Sequence, residues 1–149
     1  MTNEQSPRGR LLAVDYGERR IGLAISDPTG TIASPAGVIV RRAGKRPPVA
    51  EIILRAQALE ARGFVIGLAL DGYGDETPRS TEARAVGEAL AQRTGMPVEM
   101  VDERYTTAIA LRAIREMGGS TRDRKGDVDA LAATVLLQHA LQQVTRATE

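Results

Sequence analysis

Two short, uninterrupted apolar runs constrain the fold of this chain more than any other feature of its sequence. The first, residues 11–14, reads Leu-Leu-Ala-Val and ends at Asp15, and the second runs from Phe64 to Leu70 without a charged residue. Continuous apolar runs of this length are typical of strands inside a sheet that helices cover on both faces. The chain is therefore predicted to have an α/β fold in which both runs are buried strands.

Turn signals and helical spacing predict the remaining elements and their order. Strands are expected at 10–16, 20–26, 31–40, 64–70 and 97–102, and helices at about 48–62, 78–94, 106–117 and 128–145. Tight turns join the first three strands into an antiparallel meander, and right-handed crossovers make the fourth and fifth strands parallel to the first. The prediction is a mixed five-stranded sheet flanked by helices, in a single domain over residues 1–149 with flexible tails at 1–9 and 146–149. From the last helix, the residues predicted to face the core are Leu131, Val135, Leu137, Leu141 and Val144.

The composition excludes several classes of function. The 149 residues contain no cysteine, which rules out disulfides, zinc–thiolate sites and cysteine nucleophiles. The 20 basic and 19 acidic residues leave a net charge of +1, which neither requires nor forbids a polyanionic partner. With one Phe and three Tyr, an aromatic platform for single strands is not expected. No apolar stretch reaches the roughly 20 residues of a membrane span and the amino terminus has no signal-peptide core, so a cytoplasmic protein is expected.

Acidic residues follow the predicted strands where a metal site would need them. Asp15 ends the first strand, and Asp102 and Glu103 come at the end of the fifth. The carboxyl ends of parallel strands share one edge of a sheet, so the first and fifth strands deliver acids to the same edge. Because successive strand residues face opposite sides, only one of Asp102 and Glu103 can enter a site with Asp15, and the spacing does not decide which.

The start of the last helix carries two further acids. Asp127 is the more natural helix cap, and Asp129 would then project from the first turn towards the same sheet edge. Together with Asp15 and one acid of the 102–103 pair, Asp129 completes the oxygen-ligand set that a magnesium-dependent phosphodiester-cleaving site needs. Each acid also has an ordinary structural explanation, because Asp15 could bond turn amides and the others could offset helix dipoles.

Arginine-rich segments indicate contacts to phosphate, although a GC-rich genome would also raise the arginine count. A guanidinium group binds phosphate through two parallel hydrogen bonds. Arg79 and Ser80 lie where the second helix is predicted to begin, so its amides could help them to grip a phosphate, and a solvated loop explains them equally well. The candidates for phosphate contacts are Arg19, Arg20, Arg79, Ser80, Arg104, Arg122, Arg124 and Lys125.

Four segments, taken in order, carry a family resemblance. They are Leu-Ala-Val-Asp-Tyr-Gly at 12–17 with Arg-Ile-Gly-Leu-Ala at 20–24 and Ser-Asp at 26–27; Val-Ile-Gly-Leu-Ala-Leu at 65–70; Asp-Glu-Arg at 102–104 with Thr-Thr at 106–107; and Asp-Ala-Leu-Ala-Ala at 129–133 with Leu-Leu-Gln at 136–138. Together they resemble the YqgF/RuvX family of RNase H-like nucleases, which are described as Holliday junction resolvase-like or as nucleases that mature small-subunit ribosomal RNA. The chain departs from the family pattern at Ala69, at Asp71–Gly74 and at Tyr105, and none of these changes removes an acid.

The resemblance implies an RNase H-like fold and catalytic acids at Asp15, Glu103 and Asp129, with Asp102 and Asp127 as neighbouring candidates for metal ligands. The resulting hypothesis is an endonuclease with two Mg²⁺ or Mn²⁺ ions, one activating a water and the other stabilising the leaving oxygen. Its substrate would be structured nucleic acid, either branched DNA or the 5′ end of pre-16S rRNA. The protein would act as a monomer or as a homodimer.

Two other interpretations use the same residues. A catalytically weak RNA-binding factor in ribosome assembly would have the same fold, use the arginines and make little use of the acids. Alternatively, the turn after Asp15 could be the phosphate-binding hairpin of an actin-like kinase or ATPase. That class needs two such domains, and 149 residues have room for one.

Overall fold

A computed structural model describes residues 9–42, 46–107, 111 and 125–148, apart from the side chains of residues 105, 125–129 and 144–148. Element labels number the elements of this described part in chain order. The elements are β1 (Leu11–Tyr16), β2 (Arg20–Ser26), β3 (Ala33–Val40), α1 (Val49–Ala58), β4 (Gly63–Leu68), α2 (Pro78–Thr94), β5 (Val98–Asp102), a 3-10 turn (Glu103–Tyr105) and α3 (Lys125–Thr148).

The five strands form one mixed sheet in the order β3-β2-β1-β4-β5. The strands β1, β2 and β3 pair antiparallel, whereas β4 pairs parallel with both β1 and β5. This arrangement confirms the predicted meander and the predicted direction of the fourth and fifth strands. It also puts the carboxyl ends of β1, β4 and β5 at one edge, which is called the carboxyl edge below.

Side chains of the central strands alternate between two apolar layers. In β1, Leu12 and Val14 pack in the layer that contains Ile52 of α1 and Leu90 of α2. Leu11 and Ala13 pack in the opposite layer, which α3 covers with residues such as Leu137. Both faces of β1 are therefore buried, because helices cover the sheet on both sides, and this explains the continuous apolar run at 11–14.

Several element ends differ from the predictions. The helix α1 ends at Ala58, four residues early, because Glu60 adopts a left-handed conformation with φ of 59° and the Ala61 N–H donates to the Ala56 carbonyl. The strand β4 ends at Leu68 and not at 70. Most of the helix predicted at 106–117 lies outside the described residues; within them, the Leu111 N–H donates to the Thr107 carbonyl at 3.1 Å.

The last helix is longer than predicted and presents a different face to the core. It begins at Lys125, so Asp127 lies within its first turn, and the prediction that Asp127 precedes the helix as its cap is wrong. Leu131 is 42% exposed, which contradicts its predicted core position. Leu137 and Leu141 are buried as predicted, and Val135 is half-buried. The Val144 side chain lies outside the described part. The buried face consists of Ala130, Ala132, Ala133, Leu136, Leu137, Ala140 and Leu141.

No helix in the described ranges is both long enough and apolar enough to cross a membrane.

Candidate active site

The strand β1 carries Asp15 into the interior at the carboxyl edge. Val14 and Tyr16 belong to the layer under α1 and α2, so strand alternation turns Asp15 to the opposite face, towards α3. Its side chain is 0% exposed, and it pairs in register with Gly22 of the antiparallel strand β2. A carboxylate buried at a strand end in this way is a candidate for chemistry, because an acidic side chain seldom loses its hydration completely without compensation.

The second acid, Glu103, reaches the same face from the end of β5. It is the first residue of the 3-10 turn that follows the strand, and its side chain is 1% exposed. A Cβ atom built on Gly67 of β4 would lie 3.1 Å from Glu103 Oε1 and 2.8 Å from Cδ2 of Leu136 in α3. Glu103 and α3 therefore meet over the same glycine.

Gly67 separates the two acids. Val14 of β1 lies beside Ile66 of β4, so the next pair in register is Asp15 and Gly67, on strands about 4.8 Å apart. Because Gly67 has no side chain, the surface between β1 and β5 stays open and the Glu103 carboxylate can extend into it. Asp15 and Glu103 thus lie on either side of Gly67 on one face of the sheet.

Asp102 has a different environment from Glu103, although the two acids are adjacent in the chain. Val98 and Met100 of β5 pack in the layer under α1 and α2. Because every second side chain of a strand faces the same side, Asp102 faces this layer too, away from Asp15. Its carboxylate binds the Arg104 guanidinium, with Oδ2 2.7 Å from Nη2, and accepts the Arg104 backbone N–H at 3.0 Å. The hydrogen bonds from Arg104 lower the pKa of Asp102. In the structure this carboxylate positions Arg104, and the role of Asp102 as a candidate metal ligand stays a prediction.

The helix α3 runs with its amino-terminal end towards the carboxyl edge. Leu136 lies against Gly67 at that edge, and Leu141, one and a half turns later, packs with Leu11 at the far end of β1. Position 129 is seven residues before Leu136, which corresponds to two turns and about 10.5 Å along the helix on the same face. The Asp129 and Asp127 side chains lie outside the described part. Among the side chains that are described, no group of three or more His, Cys, Asp or Glu residues is arranged to hold a metal ion.

On the face of the sheet that α1 and α2 cover, an aromatic and ionic cluster supports the carboxyl edge. The Arg41 guanidinium lies 4.7 Å from the centre of the Tyr16 ring and donates to the Gly17 carbonyl at 2.9 Å. It also pairs with Glu82 of α2 at 3.3 Å. Burial raises the pKa of Tyr16 well above its usual range, so this phenol stays protonated. Through Arg41, the cluster connects the turn after Asp15 to α2 and so holds the end of β1 in position.

A cavity of about 480 Å³ opens beside this cluster, between the β1–β2 turn and the start of α2. Its wall includes Arg79, one of the predicted phosphate contacts, which is half-buried. Ser80, the next predicted phosphate contact, has a different environment. It is fully buried, its hydroxyl donates within the helix cap to Glu76, and it accepts the Thr77 N–H at 2.8 Å. Its polar atoms stabilise the start of α2, and its predicted phosphate contact stays a prediction.

The other predicted phosphate contacts lie in three places. Arg19 is exposed in the β1–β2 turn, and Arg20 is half-buried at the start of β2, both at the carboxyl edge. Arg104 follows Glu103 directly, with its side chain 25% exposed. Arg122 and Arg124, and the side chain of Lys125, lie outside the described part.

Two further basic residues at this edge were not among the predicted phosphate contacts. Arg42 and Arg46 are exposed and line a cavity of about 350 Å³ that begins where β3 ends. The strand β3 is antiparallel to β2 and β2 to β1, so the end of β3 lies at the carboxyl edge with the end of β1. The predicted meander already implied this position. In a three-stranded meander the third strand runs in the same direction as the first, so both strands end at the same edge.

The sheet, its strand order and its helical layers define an RNase H-like protein. Two solved structures of Thermus thermophilus RuvC share the fold: one in complex with a Holliday junction substrate, with a TM-score of 0.58 at 13% identity over 93% of this chain and 96% of that chain, and another with a TM-score of 0.55 at 14% identity. Within this class the chain belongs to the RuvX family, because the family model described as a Holliday junction resolvase matches residues 9–143.

Relatives in the same family carry the provisional name of pre-16S rRNA nuclease. One from Anaeromyxobacter sp. (strain Fw109-5) is 42% identical over 129 residues, covering 87% of this chain and 93% of the relative. Another from Clavibacter michiganensis subsp. michiganensis is 40% identical over 134 residues, covering 90% of this chain and 83% of the relative. The predicted family is confirmed, and it is a family of nucleases.

Proposed function

We propose that this chain is a divalent-metal-dependent endonuclease that hydrolyses phosphodiester bonds of structured nucleic acid, with Asp15, Glu103 and Asp129 as its catalytic acids. The observation that carries the proposal is the pair of buried carboxylates on either side of Gly67 at the carboxyl edge. Ligands of α/β proteins bind at this edge. Membership of a family of nucleases agrees with the proposal.

The described residues of the site fit a hard divalent cation. Asp15 and Glu103 present carboxylate oxygens on one face of the sheet, and a divalent cation bound by both would offset the repulsion between two carboxylates. Mg²⁺ and Mn²⁺ prefer oxygen ligands, which these two side chains supply. Position 129, on the helix face that meets the sheet at Leu136, would add a third carboxylate from α3.

Each group then has a defined task in hydrolysis. When bound, the cations would supply Lewis-acid chemistry, lowering the pKa of the attacking water and stabilising the leaving oxygen. Asp15 and Glu103 would fix the geometry of the site, since Asp15 extends from β1 and Glu103 from the 3-10 turn directly after β5. Arg104, held by Asp102, would orient a phosphate next to Glu103.

The nucleic acid would extend along the carboxyl edge in both directions from the acids. Arg19, Arg20, Arg42 and Arg46 lie on the side of β2 and β3, and Arg79 and Arg104 lie on the side of β4 and β5. Arginine contacts of this kind bind phosphates without identifying bases. Selection would then follow the shape of a branched or folded substrate, either a four-way DNA junction or the 5′ end of pre-16S rRNA.

The test is a cleavage assay on both substrates, a four-way DNA junction and a pre-16S rRNA fragment, with Mg²⁺ and with Mn²⁺. We expect the wild-type protein to cut at least one of them only when a divalent ion is present. Asp15→Asn should bind the same substrate with similar affinity but lose cleavage by about a hundredfold or more. Binding without any metal-dependent cleavage by wild type would overturn the proposal in favour of an RNA-binding assembly factor. Full cleavage by Asp15→Asn would overturn the assignment of the site.

A further inference from the structure

The loop between β4 and α2, which begins at the carboxyl edge, presents one aromatic side chain to solvent. Its residues, 69–77, leave the carboxyl edge at the end of β4, the strand that carries Gly67 between Asp15 and Glu103. Tyr73 lies in this loop and is 92% exposed. Its aromatic ring therefore makes almost no contact within the chain, which is uncommon for a large apolar group.

Hydrogen bonds from one carboxylate hold this loop in shape. Asp71 Oδ1 accepts the Tyr73 N–H at 2.8 Å and the Asp75 N–H at 2.9 Å. The backbone closes the same turn, because the Asp71 N–H donates to the Asp75 carbonyl at 3.0 Å and the Gly74 N–H to the Asp71 carbonyl at 2.9 Å. The backbone hydrogen bonds that its carboxylate accepts lower the pKa of Asp71. Tyr73 is thus displayed on an ordered turn.

The turn is also fixed relative to the acids. Gly74 has φ of +86°, and a Cβ atom built on it would lie 3.2 Å from Nη2 of Arg104. The same Arg104 is bound by Asp102 at 2.7 Å, directly before Glu103 in the chain. The guanidinium group therefore lies between the turn and the end of β5, so the backbone of the turn is held close to Arg104, the residue after Glu103.

Base stacking is the chemistry that this arrangement favours. The turn itself carries Asp71 and Asp75, and a phosphate would be repelled by both, whereas the π-face of a base is uncharged. Stacking of a base on an aromatic side chain contributes about 1–3 kcal/mol and requires an exposed ring face. A single ring cannot form a platform for a long single strand, but it can hold one unpaired base.

We propose that Tyr73 stacks on one unpaired base beside the bond to be cleaved, and so selects substrates that are branched or locally unpaired over continuous duplex. This inference rests on the proposed function, because it assumes that nucleic acid lies along the carboxyl edge. Tyr73 is a specificity-determining residue in this account. The catalytic acids do not depend on it.

The test compares the binding affinities of several protein variants on two nucleic-acid probes. Divalent ions are left out so that no strand is cut. The probe is a branched DNA with unpaired nucleotides at its branch point, prepared once with bases and once with abasic nucleotides at those positions. The proteins are wild type, Tyr73→Ala, Tyr73→Phe and, as a control, Leu54→Ala, since Leu54 is another large apolar side chain that is 59% exposed, on α1. Substitution at a position as exposed as Tyr73 should leave folding intact.

On the probe with bases, Tyr73→Ala should raise Kd by about 5- to 150-fold for one stacked base, and Tyr73→Phe should stay near wild type. On the abasic probe, the effect of Tyr73→Ala should fall below about twofold, because no base remains to stack. Equal effects of Tyr73→Ala on both probes, or no effect on either, would overturn the inference while leaving the proposed nuclease function to its own cleavage assay. Failure of wild type to bind either probe would overturn the inference alone, because the proposed nuclease function also allows a pre-16S rRNA substrate and is tested by cleavage.

Discussion

At the scale of single residues, the absence of a side chain at Gly67 matters as much as the presence of the acids. Asp15 lies in β1 and Glu103 directly follows β5, and these two strands do not pair because β4 lies between them. A side chain at position 67 on the shared face would occupy the space into which Glu103 extends. The glycine therefore keeps the two carboxylates facing one common space.

A first prediction concerns Gly67→Ala. The added Cβ would lie 2.8 Å from Leu136 Cδ2 and 3.1 Å from Glu103 Oε1, so one or both buried side chains must move. We expect a loss of stability of about 1–3 kcal/mol from overpacking. We also expect the cleavage rate of the folded enzyme to fall by about tenfold or more, because small displacements of catalytic groups are costly.

The control is Gly72→Ala, the same chemical change in the neighbouring loop. A Cβ on Gly72 would meet nothing within 4 Å, and its φ is not positive, so stability and activity should stay near wild type. Denaturant unfolding and single-turnover cleavage measure the two effects separately. If Gly67→Ala and Gly72→Ala cleaved equally well, the role given to Gly67 would be wrong.

The sequence predicted Asp15 at the carboxyl edge, and the structure places it there, because a strand ending in an acid is a local pattern. It could not decide between Asp102 and Glu103, because that choice depends on where β5 stops being regular. The strand ends at Asp102 and a 3-10 turn follows, which turns Asp102 to Arg104 and leaves Glu103 over Gly67. A local change of backbone geometry is not visible in the residue types.

At the scale of elements, the helix α3 shows what the spacing of apolar residues does and does not predict. The α3 sequence is apolar around much of its circumference, so several choices of buried face fit the spacing, and the predicted face included Leu131. Packing against the small side chains of β1 and β2, such as Ala13 and Ala24, instead selects the face with Ala133 and Leu137. The partner surface decides which face is buried, and it is distant in sequence.

A second prediction concerns Asp71, which holds the β4–α2 loop. Because the pKa of Asp71 is lower in the folded chain than in the unfolded chain, its contribution to stability is complete above about pH 4 and declines as the pH falls through the folded value. Asp71→Asn keeps an oxygen acceptor but removes the charge. We therefore expect Asp71→Asn to be less stable than wild type at pH 7.

The difference in unfolding free energy between wild type and Asp71→Asn should shrink from pH 7 to pH 3, since both proteins share every other titrating group. Denaturant unfolding at the two pH values measures it. A difference that stays constant over this range would contradict the assigned role of the Asp71 carboxylate.

At the scale of the whole molecule, strand order determines which distant segments meet. The order β3-β2-β1-β4-β5 brings the ends of β1, β3, β4 and β5 to one edge. The sequence predicted this topology, because hairpin turns and right-handed crossovers leave few alternatives. It did not assign a role to Arg42 and Arg46, although the predicted meander already placed the end of the third strand at this edge.

A third prediction tests whether those arginines extend the nucleic-acid surface. The double substitution Arg42→Ala with Arg46→Ala should weaken binding and reduce the slope of log affinity against log salt concentration by up to about 2, since each phosphate that an arginine neutralises adds about 0.9 to that slope. The control is Arg84→Ala, because Arg84 is an exposed arginine on α2 that pairs with Glu76 at 2.9 Å. Identical slopes for the double variant and for Arg84→Ala would contradict a role in phosphate binding.

The central claim is that Glu103, and not its neighbour Asp102, shares a metal-dependent catalytic site with Asp15. The most direct measurement is the single-turnover cleavage rate of Glu103→Gln and Asp102→Asn as a function of Mn²⁺ concentration, on whichever substrate wild type cuts. Glu103→Gln should reduce the cleavage rate by about a hundredfold or more at saturating metal, a greater reduction than the 10- to 100-fold typical of groups that only support a ligand. Asp102→Asn should retain at least about tenfold more activity than Glu103→Gln, because it disturbs only the position of Arg104. Full activity in Glu103→Gln, or an Asp102→Asn variant that is equally inactive, would contradict the account.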